Sequence, residues 1–228
     1  MSFILNQPTT VVSLLLQHLQ MTGLALVIAT LFALPLALVI THYRRLATPV
    51  LAVLGILYTV PSLALIILLV PFLGLTANAV IVAMVLYAQV ILVRSLTVGL
   101  QQIESAIVEA AMGMGMNRWQ RWWQVQFPLI LPMFLAGLRL AAIVEISIAT
   151  IGAKFGAGGL GVLLFDGIAR GRYDKIWAGA IVVGAIALLI SSGLLLLEWV
   201  ARPGSRIVMA AWKRRLVRII IPNPIWKS

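Results

Sequence analysis

Residues 46–93 read LATPVLAVLGILYTVPSLALIILLVPFLGLTANAVIVAMVLYAQVILV and contain no Lys, Arg, Asp or Glu. A helix needs about 20 apolar residues to cross roughly 30 Å of hydrocarbon, so this run is long enough for two membrane spans. The only cluster of small and polar residues within the run is GLTAN at residues 74–78, where we expect a turn. The run therefore predicts two transmembrane helices, near residues 49–73 and 79–96.

Three further segments are long and apolar enough to cross a membrane, near residues 19–40, 129–153 and 176–197. Because only fully hydrogen-bonded backbone crosses lipid, all five spans should be helical. A short amphipathic segment, residues 11–20, is expected to lie along the membrane surface before the first span. The sequence thus predicts an all-α membrane protein with about five transmembrane helices.

The composition excludes most other classes of protein. Of 228 residues, 62% are hydrophobic and 10% are charged, whereas soluble domains have roughly 45–50% and about 25%. The absence of cysteine excludes disulfides and cysteine-ligated zinc or iron–sulfur sites. His18 and His42 lie at opposite ends of the first predicted span, so we expect no metal site. A net charge of +11 indicates basic cytoplasmic loops rather than nucleic-acid binding.

The positions of Lys and Arg predict the orientation, since cytoplasmic loops carry an excess of them. The loops after spans one and three and the C-terminal tail carry twelve, counting Arg94 at the edge of span three, whereas the N-terminal tail and the other two loops carry four. The N-terminus should therefore lie outside and the C-terminus in the cytoplasm. The expected organisation is an extracytoplasmic N-terminal tail (1–18), a transmembrane domain (19–201) and a basic cytoplasmic tail (202–228). The tail is expected to contact lipid, and simple anchoring of the topology is the alternative.

The predicted cytoplasmic loop at residues 104–127 differs in composition from the spans around it. Glu109-Ala110-Ala111 is typical of a helix, and glycine at 115 favours a tight turn. The following RWQRWW, at residues 118–123, is typical of a helix at the membrane interface. Pro128 then opens the fourth span. The two alanines should offer a flat surface to another protein.

This spacing, with Glu109-Ala110-Ala111, three residues, Gly115, nine residues and then Val125-x-Phe127-Pro128, matches the EAA motif. That motif marks the permease subunits of binding-protein-dependent ABC importers, which this chain resembles over roughly residues 21–202. YTVPSLAL at 58–65, AGLR at 136–139 and IGAKFGAGGLG at 151–161 are similar to permease segments. The resemblance is greatest to the osmoprotectant branch, which imports glycine betaine, carnitine and choline. Permeases for methionine or another amino acid are the alternative.

The resemblance implies a MetI-like permease fold in a multi-pass protein of the bacterial cytoplasmic (inner) membrane. Two permease subunits, the same or similar, would form the pore in membrane lipid. Cytoplasmic ABC ATPase subunits would use ATP and magnesium, and an extracytoplasmic substrate-binding protein would deliver the substrate. This chain would hold no cofactor and perform no catalysis, since it lacks a G-x-x-x-x-G-K-[ST] loop. The implied ATPase-coupling residues are Glu109, Ala110, Ala111, Gly115 and Pro128.

Four residues within the spans are candidates for the translocation path: Pro61, Ser62, Arg139 and Glu145. Charged residues inside a membrane usually face a bundle interior or a water-filled path. Arg139 and Glu145 are six residues apart on one helix, so they should not pair directly. A structural partner on a neighbouring helix is the alternative for Arg139, whereas Glu145 is the better candidate for contact with a cationic substrate.

Gly156, Gly158, Gly159 and Gly161 formally fit the pattern G-x-G-x-x-G. Dinucleotide binding is not expected, because that fingerprint needs a preceding strand and a βαβ unit. We expect an outer gate or a contact with the delivery protein, and a plain turn is the alternative. Residues 160–177 should form an amphipathic surface helix and a turn facing the delivery protein.

An alternative of another class is a secondary carrier that works without an ATPase. Such carriers need coupling-ion sites or broken helices in repeated halves. Five unequal spans show no such repeat.

Overall fold

The computed structural model describes residues 2–202, and every regular element in that range is helical. The predicted basic tail lies outside the described residues, apart from Arg202. A π-helical turn at Trp122–Gln126 precedes α8, and a 3₁₀ turn at Ala153–Phe155 follows it. The α-helices are, in chain order, α1 (Ser2–Asn6), α2 (Pro8–His42), α3 (Arg44–Thr59), α4 (Ser62–Leu73), α5 (Ala77–Gln101), α6 (Ser105–Gly113), α7 (Arg118–Arg121), α8 (Phe127–Gly152), α9 (Gly161–Ala169) and α10 (Tyr173–Ala201).

The first span is longer than predicted. Helix α2 has 35 residues and begins at Pro8, where proline is tolerated because the first-turn amide has no partner within the helix. The prediction of a separate surface segment at residues 11–20 is wrong, since those residues continue the helix and Val11 and His18 are buried. The boundary predicted at residue 18 consequently falls inside α2.

The second predicted span, residues 49–73, is broken rather than straight. Helices α3 and α4 meet at an angle of 94°. Pro61 lacks an amide hydrogen and pushes the preceding residue away from helical geometry, and Val60 is extended with φ −66° and ψ 125°. The Tyr87 hydroxyl donates a hydrogen bond to the Val60 carbonyl. A side chain of α5 thereby satisfies one backbone group that the break leaves without a helical partner.

The bent pair nevertheless runs from one end of the helical bundle to the other. Leu51 and Leu54 of α3 pack against a core that contains Leu100, near the end of α5. Leu65 of α4 packs in a core with Val80, near the start of α5. The pair therefore joins the two ends of the bundle, as a fifth crossing would, beside α2, α5, α8 and α10, each of which is long and apolar enough to span a membrane. The expectation of an all-helical protein with about five spans is confirmed.

Small residues bring the central helices close together. Gln89 of α5 donates a 2.9 Å hydrogen bond to the Ala29 carbonyl of α2. Where α5 meets α8, a Cβ added at Gly137 would lie 2.6 Å from the Cβ of Ser95. Small side chains at such crossings let two backbones approach, which drives helix association in lipid. The α2 side of its contact with α5 is a row of fully buried alanines, Ala25, Ala29, Ala33 and Ala37.

Candidate coupling loop and membrane sites

The loop between α5 and α8 projects the side chains of α6 outward. Glu109 and Ala110 are exposed, whereas Ala111 is buried. The expectation that both alanines form a flat outer surface is therefore wrong for Ala111, which packs inward. Two methionines that the sequence analysis overlooked take its place, with Met112 47% and Met114 69% exposed. The outward surface of α6 and its turn therefore presents the carboxylate of Glu109 beside the apolar side chains of Met112 and Met114.

Gly115 ends α6 in the way its spacing predicts. Its φ is +78°, a left-handed conformation that favours glycine. The Gly115 amide donates to the Met112 carbonyl at 2.9 Å, and the Met116 amide donates to the Ala111 carbonyl at 3.2 Å. This pair of bonds is a Schellman motif, which closes the carbonyl end of a helix and redirects the chain. The exit angle of α6 is thus fixed by backbone geometry.

A capping box begins α7 directly after this turn. The Gln120 amide donates to Asn117 Oδ1 at 2.8 Å, and the Asn117 amide donates to Gln120 Oε1 at 2.9 Å. This motif was not predicted, although Asn followed three residues later by Gln is a recognised helix-start signal. The loop is therefore an ordered helix–turn–helix.

An aromatic cluster joins the loop to α8. The Trp119 and Trp123 rings lie 5.6 Å apart, and Trp123 lies 5.2 Å from Phe127. Trp119 is 70% exposed. Pro128 occupies the first turn of α8, as predicted. Amphipathic rings at this level fit a membrane–water interface.

The structure gives Arg139 a partner on a neighbouring helix. Arg139 Nη2 lies 3.4 Å from Glu198 Oε2 of α10, and Glu198 Oε1 accepts a 2.6 Å bond from Arg202. This is the arrangement that the structural alternative for Arg139 requires. Glu198 was missed as a partner because the pairing joins two helices distant in the sequence.

The other path candidates are dispersed. Pro61 is exposed at the break between α3 and α4, and Ser62 is partly buried beside it. Glu145 is completely buried in α8, and neither of its carboxyl oxygens has a hydrogen-bond partner in residues 2–202. This placement gives no support to a direct contact between Glu145 and substrate.

The glycine-rich loop packs tightly against two other elements. Gly156, Gly158 and Gly159 all have φ near +76°. The Gly159 amide donates to Gln17 Oε1 of α2 at 3.1 Å. A Cβ at Gly158 would lie 2.6 Å from that same oxygen, and one at Gly156 would lie 2.7 Å from the Leu75 carbonyl oxygen. The observed contacts favour a fitted turn, and a gating role stays a prediction.

Ion pairs organise the segment after this loop, where the surface helix was predicted over residues 160–177. The helix itself, α9, ends at Ala169, and the chain turns at Gly171 with φ +64°. Lys175 and Arg170 both donate to the Asp166 carboxylate. The hydrogen bond from Lys175, followed by that from Arg170, holds the pKa of Asp166 below its usual value.

Comparison with known proteins agrees with a membrane permease. The chain is 35% identical over 187 residues to the carnitine transport permease protein OpuCB of Listeria monocytogenes, covering 82% of this chain and 86% of that protein. It is 34% identical over 206 residues to the osmoprotectant import permease protein OsmW of Salmonella typhimurium, covering 88% and 96%.

The fold also matches a solved structure. An inward-facing structure of the MetNI methionine ABC transporter gives a TM-score of 0.77 at 20% identity, covering 87% of this chain and 99% of that one. The family described as binding-protein-dependent transport system inner membrane component matches residues 29–203. This chain is a multi-pass inner-membrane protein and belongs to that family.

Proposed function

We propose that this chain is the membrane-spanning permease subunit of an ATP-driven importer of osmoprotectants such as glycine betaine, carnitine or choline. The observation that carries the proposal is the exposed helix–turn–helix at residues 104–127, in a chain whose relatives are named as carnitine and osmoprotectant permeases. ATP and magnesium would bind in separate ATPase subunits. A second permease subunit would complete the pore.

The coupling loop would transmit movement of the ATPase to the membrane helices. Exposed Glu109, Met112 and Met114 form a contact surface in which the methionines adapt to a partner. The Schellman turn at Gly115 and the capping box after it keep the loop stiff. Since α8 begins at Phe127, with Pro128 in its first turn, displacement of the loop would be passed directly to a spanning helix.

The opposite end of the bundle would receive the extracytoplasmic binding protein. The glycine-rich loop and the ion-paired segment around Asp166 both lie there, because Gly156 contacts the turn between α4 and α5. Ordered charged groups of both signs suit a transient, salt-sensitive contact.

Affinity purification from mild-detergent membranes, followed by mass spectrometry, tests the assembly. We expect a soluble ATPase and an extracytoplasmic binding protein to accompany this chain, and the ligand of that binding protein identifies the substrate. Recovery of this chain alone, even after crosslinking, would instead support the ATPase-independent carrier.

Two substitutions test the coupling surface. Glu109→Lys reverses the charge of the surface, and Gly115→Val forces a β-branched residue into a left-handed conformation. Both variants should insert into the membrane and lose uptake. Gly113→Ala is the matched control, since Gly113 lies in α6 with open space around it and no positive φ. Normal uptake by both variants would contradict the docking assignment.

A further inference from the structure

A pocket of about 410 Å³ opens between α3, α5 and α8. Gly55 and Tyr58 line it from α3, Arg94 and Ser95 line it from α5, and apolar side chains complete it. The size is that of a small-molecule site. None of these residues was among the predicted path candidates.

Arg94 gives this pocket a positively charged lining. Its side chain is exposed on the spanning helix α5, and it makes no ion pair with any acid in the part of the chain that the structure describes. Charged residues within spans face a protein interior or a water-filled cavity. A second pocket, of about 430 Å³ between α2 and α8, is lined by apolar groups such as Leu26 and Phe134 and suits lipid contact. The two pockets therefore differ in the polarity of their linings.

The aromatic ring of Tyr58 lines the same pocket as the Arg94 guanidinium. Tyr58 is 42% exposed, and its ring centroid lies 5.4 Å from that of Tyr87. Tyr87 is held in turn by its hydrogen bond to the Val60 carbonyl at the break between α3 and α4. The Tyr58 ring thus packs on one side against a buried neighbour.

The two groups select one kind of ligand. An aromatic face attracts a quaternary ammonium group, and an arginine fork binds a carboxylate in bidentate fashion. Glycine betaine and carnitine carry both an ammonium and a carboxylate group, whereas choline carries only the cation. Choline would bring its charge toward an uncompensated guanidinium, so the pocket disfavours it.

We propose that the pocket between α3, α5 and α8 binds zwitterionic quaternary-ammonium carboxylates during translocation, with Tyr58 facing the ammonium group and Arg94 the carboxylate. The inference rests on the proposed osmoprotectant function and adds a substrate preference within the permease itself. Gly55 lines the pocket, and nothing lies within 4 Å of the position that its Cβ would occupy, so a larger side chain there would extend into the pocket.

The test uses the complete transporter, with its ATPase and binding protein, in proteoliposomes. Initial uptake of radiolabelled glycine betaine and of choline is measured for each variant. Arg94→Gln should lower glycine betaine uptake about tenfold or more, with a smaller loss or a gain for choline. Tyr58→Leu should lower glycine betaine uptake about tenfold, and Tyr58→Phe should retain it because the ring remains.

A larger side chain that fills the pocket tests the site independently of its charged and aromatic groups. Gly55→Leu should block uptake while basal ATPase activity and the elution volume of the complex stay normal. Gly23→Leu is the matched control, since Gly23 also lies in a helix facing open space but lines the apolar pocket.

Three results would overturn the proposal. If both Arg94→Gln and Gly55→Leu take up glycine betaine at the wild-type rate, the pocket is not a substrate site. The proposed function would be unaffected by that result. If Arg94→Gln lowers the uptake of glycine betaine and of choline equally, Arg94 does not contact the substrate carboxylate. Absence of betaine uptake by the wild-type transporter would overturn the proposed function together with this site.

Discussion

Two buried glutamates of the spanning helices have opposite surroundings. Glu198 is 5% exposed and lies between Arg139 and Arg202, so its charge is compensated. Glu145 is fully buried, and its oxygens have no hydrogen-bond partner among the described residues. Removing one member of a buried ion pair is destabilising, whereas replacing an unpaired buried carboxyl relieves a desolvation penalty.

Neutralising each glutamate should therefore change the stability in opposite directions. We expect Glu198→Gln to lower the free energy of unfolding by about 1–3 kcal/mol, less than for a fully buried pair because Arg139 is partly exposed. Glu145→Gln should leave the melting temperature unchanged or raise it by a few degrees. Thermal unfolding in detergent measures both. A fall for Glu145→Gln as large as that for Glu198→Gln would show that the Glu145 carboxyl has a stabilising partner.

The sequence predicted only part of how these charged side chains pair. Charges inside spans are visible in the sequence, and a spacing of six correctly predicted that Arg139 and Glu145 do not pair. The pairing of Arg139 with Glu198 depends on how α8 and α10 pack, which local spacing does not determine. The Arg94 pocket was missed for the same reason, because its lining comes from three helices.

At the scale of elements, glycines with positive φ fix the glycine-rich loop between α8 and α9. Gly158 has φ +77°, and the space for its Cβ is taken by Gln17 of α2. The loop pattern predicted a turn at this place, but its fit against α2 is a tertiary contact that only the structure reveals.

Alanine at position 158 should destabilise the protein through backbone strain and displacement of Gln17. We expect Gly158→Ala to lower the free energy of unfolding by roughly 1–3 kcal/mol. Gly184→Ala is the control, because Gly184 lies inside α10 with open space around it and alanine is the better helix former. Melting temperatures of the purified proteins compare the two. Equal melting temperatures for Gly158→Ala and the wild type would show that the loop is not fitted against α2.

The number of spans was predicted better than their lengths and directions. Apolar runs indicate where a helix can cross a membrane, and five such runs correspond to the five crossings. Hydropathy does not respond to a change of direction, so the 94° bend at Pro61 was not anticipated. The start of α2 was misplaced because a polar face at residues 11–20 resembles a surface helix, although part of it packs inside the bundle.

Across the whole molecule, successive crossings alternate between two ends of the bundle. One end carries the turn at residues 74–76 and the glycine-rich loop, which are in contact. The other end carries the coupling loop and the junction between α2 and α3. The distribution of Lys and Arg predicts that the coupling end faces the cytoplasm. This assignment needs the bent α3–α4 pair to cross the bilayer, since a re-entrant pair would place Leu75 and Arg44 on one side.

Single cysteines test both the crossing and the orientation, and the chain has no native cysteine to interfere. Leu5, Leu75 and Met114 are 80%, 64% and 69% exposed, so a thiol at each is accessible to reagents when the chain is expressed without its ATPase. In intact spheroplasts, a membrane-impermeant maleimide should label Leu5→Cys and Leu75→Cys but label Met114→Cys only after permeabilisation. Labelling of Leu5→Cys and Met114→Cys without Leu75→Cys would mean that the bent pair is re-entrant. Labelling of Met114→Cys alone would show that the orientation is the reverse of the predicted one. The coupling loop would then lie outside the cytoplasm, where no cytoplasmic ATPase could reach it.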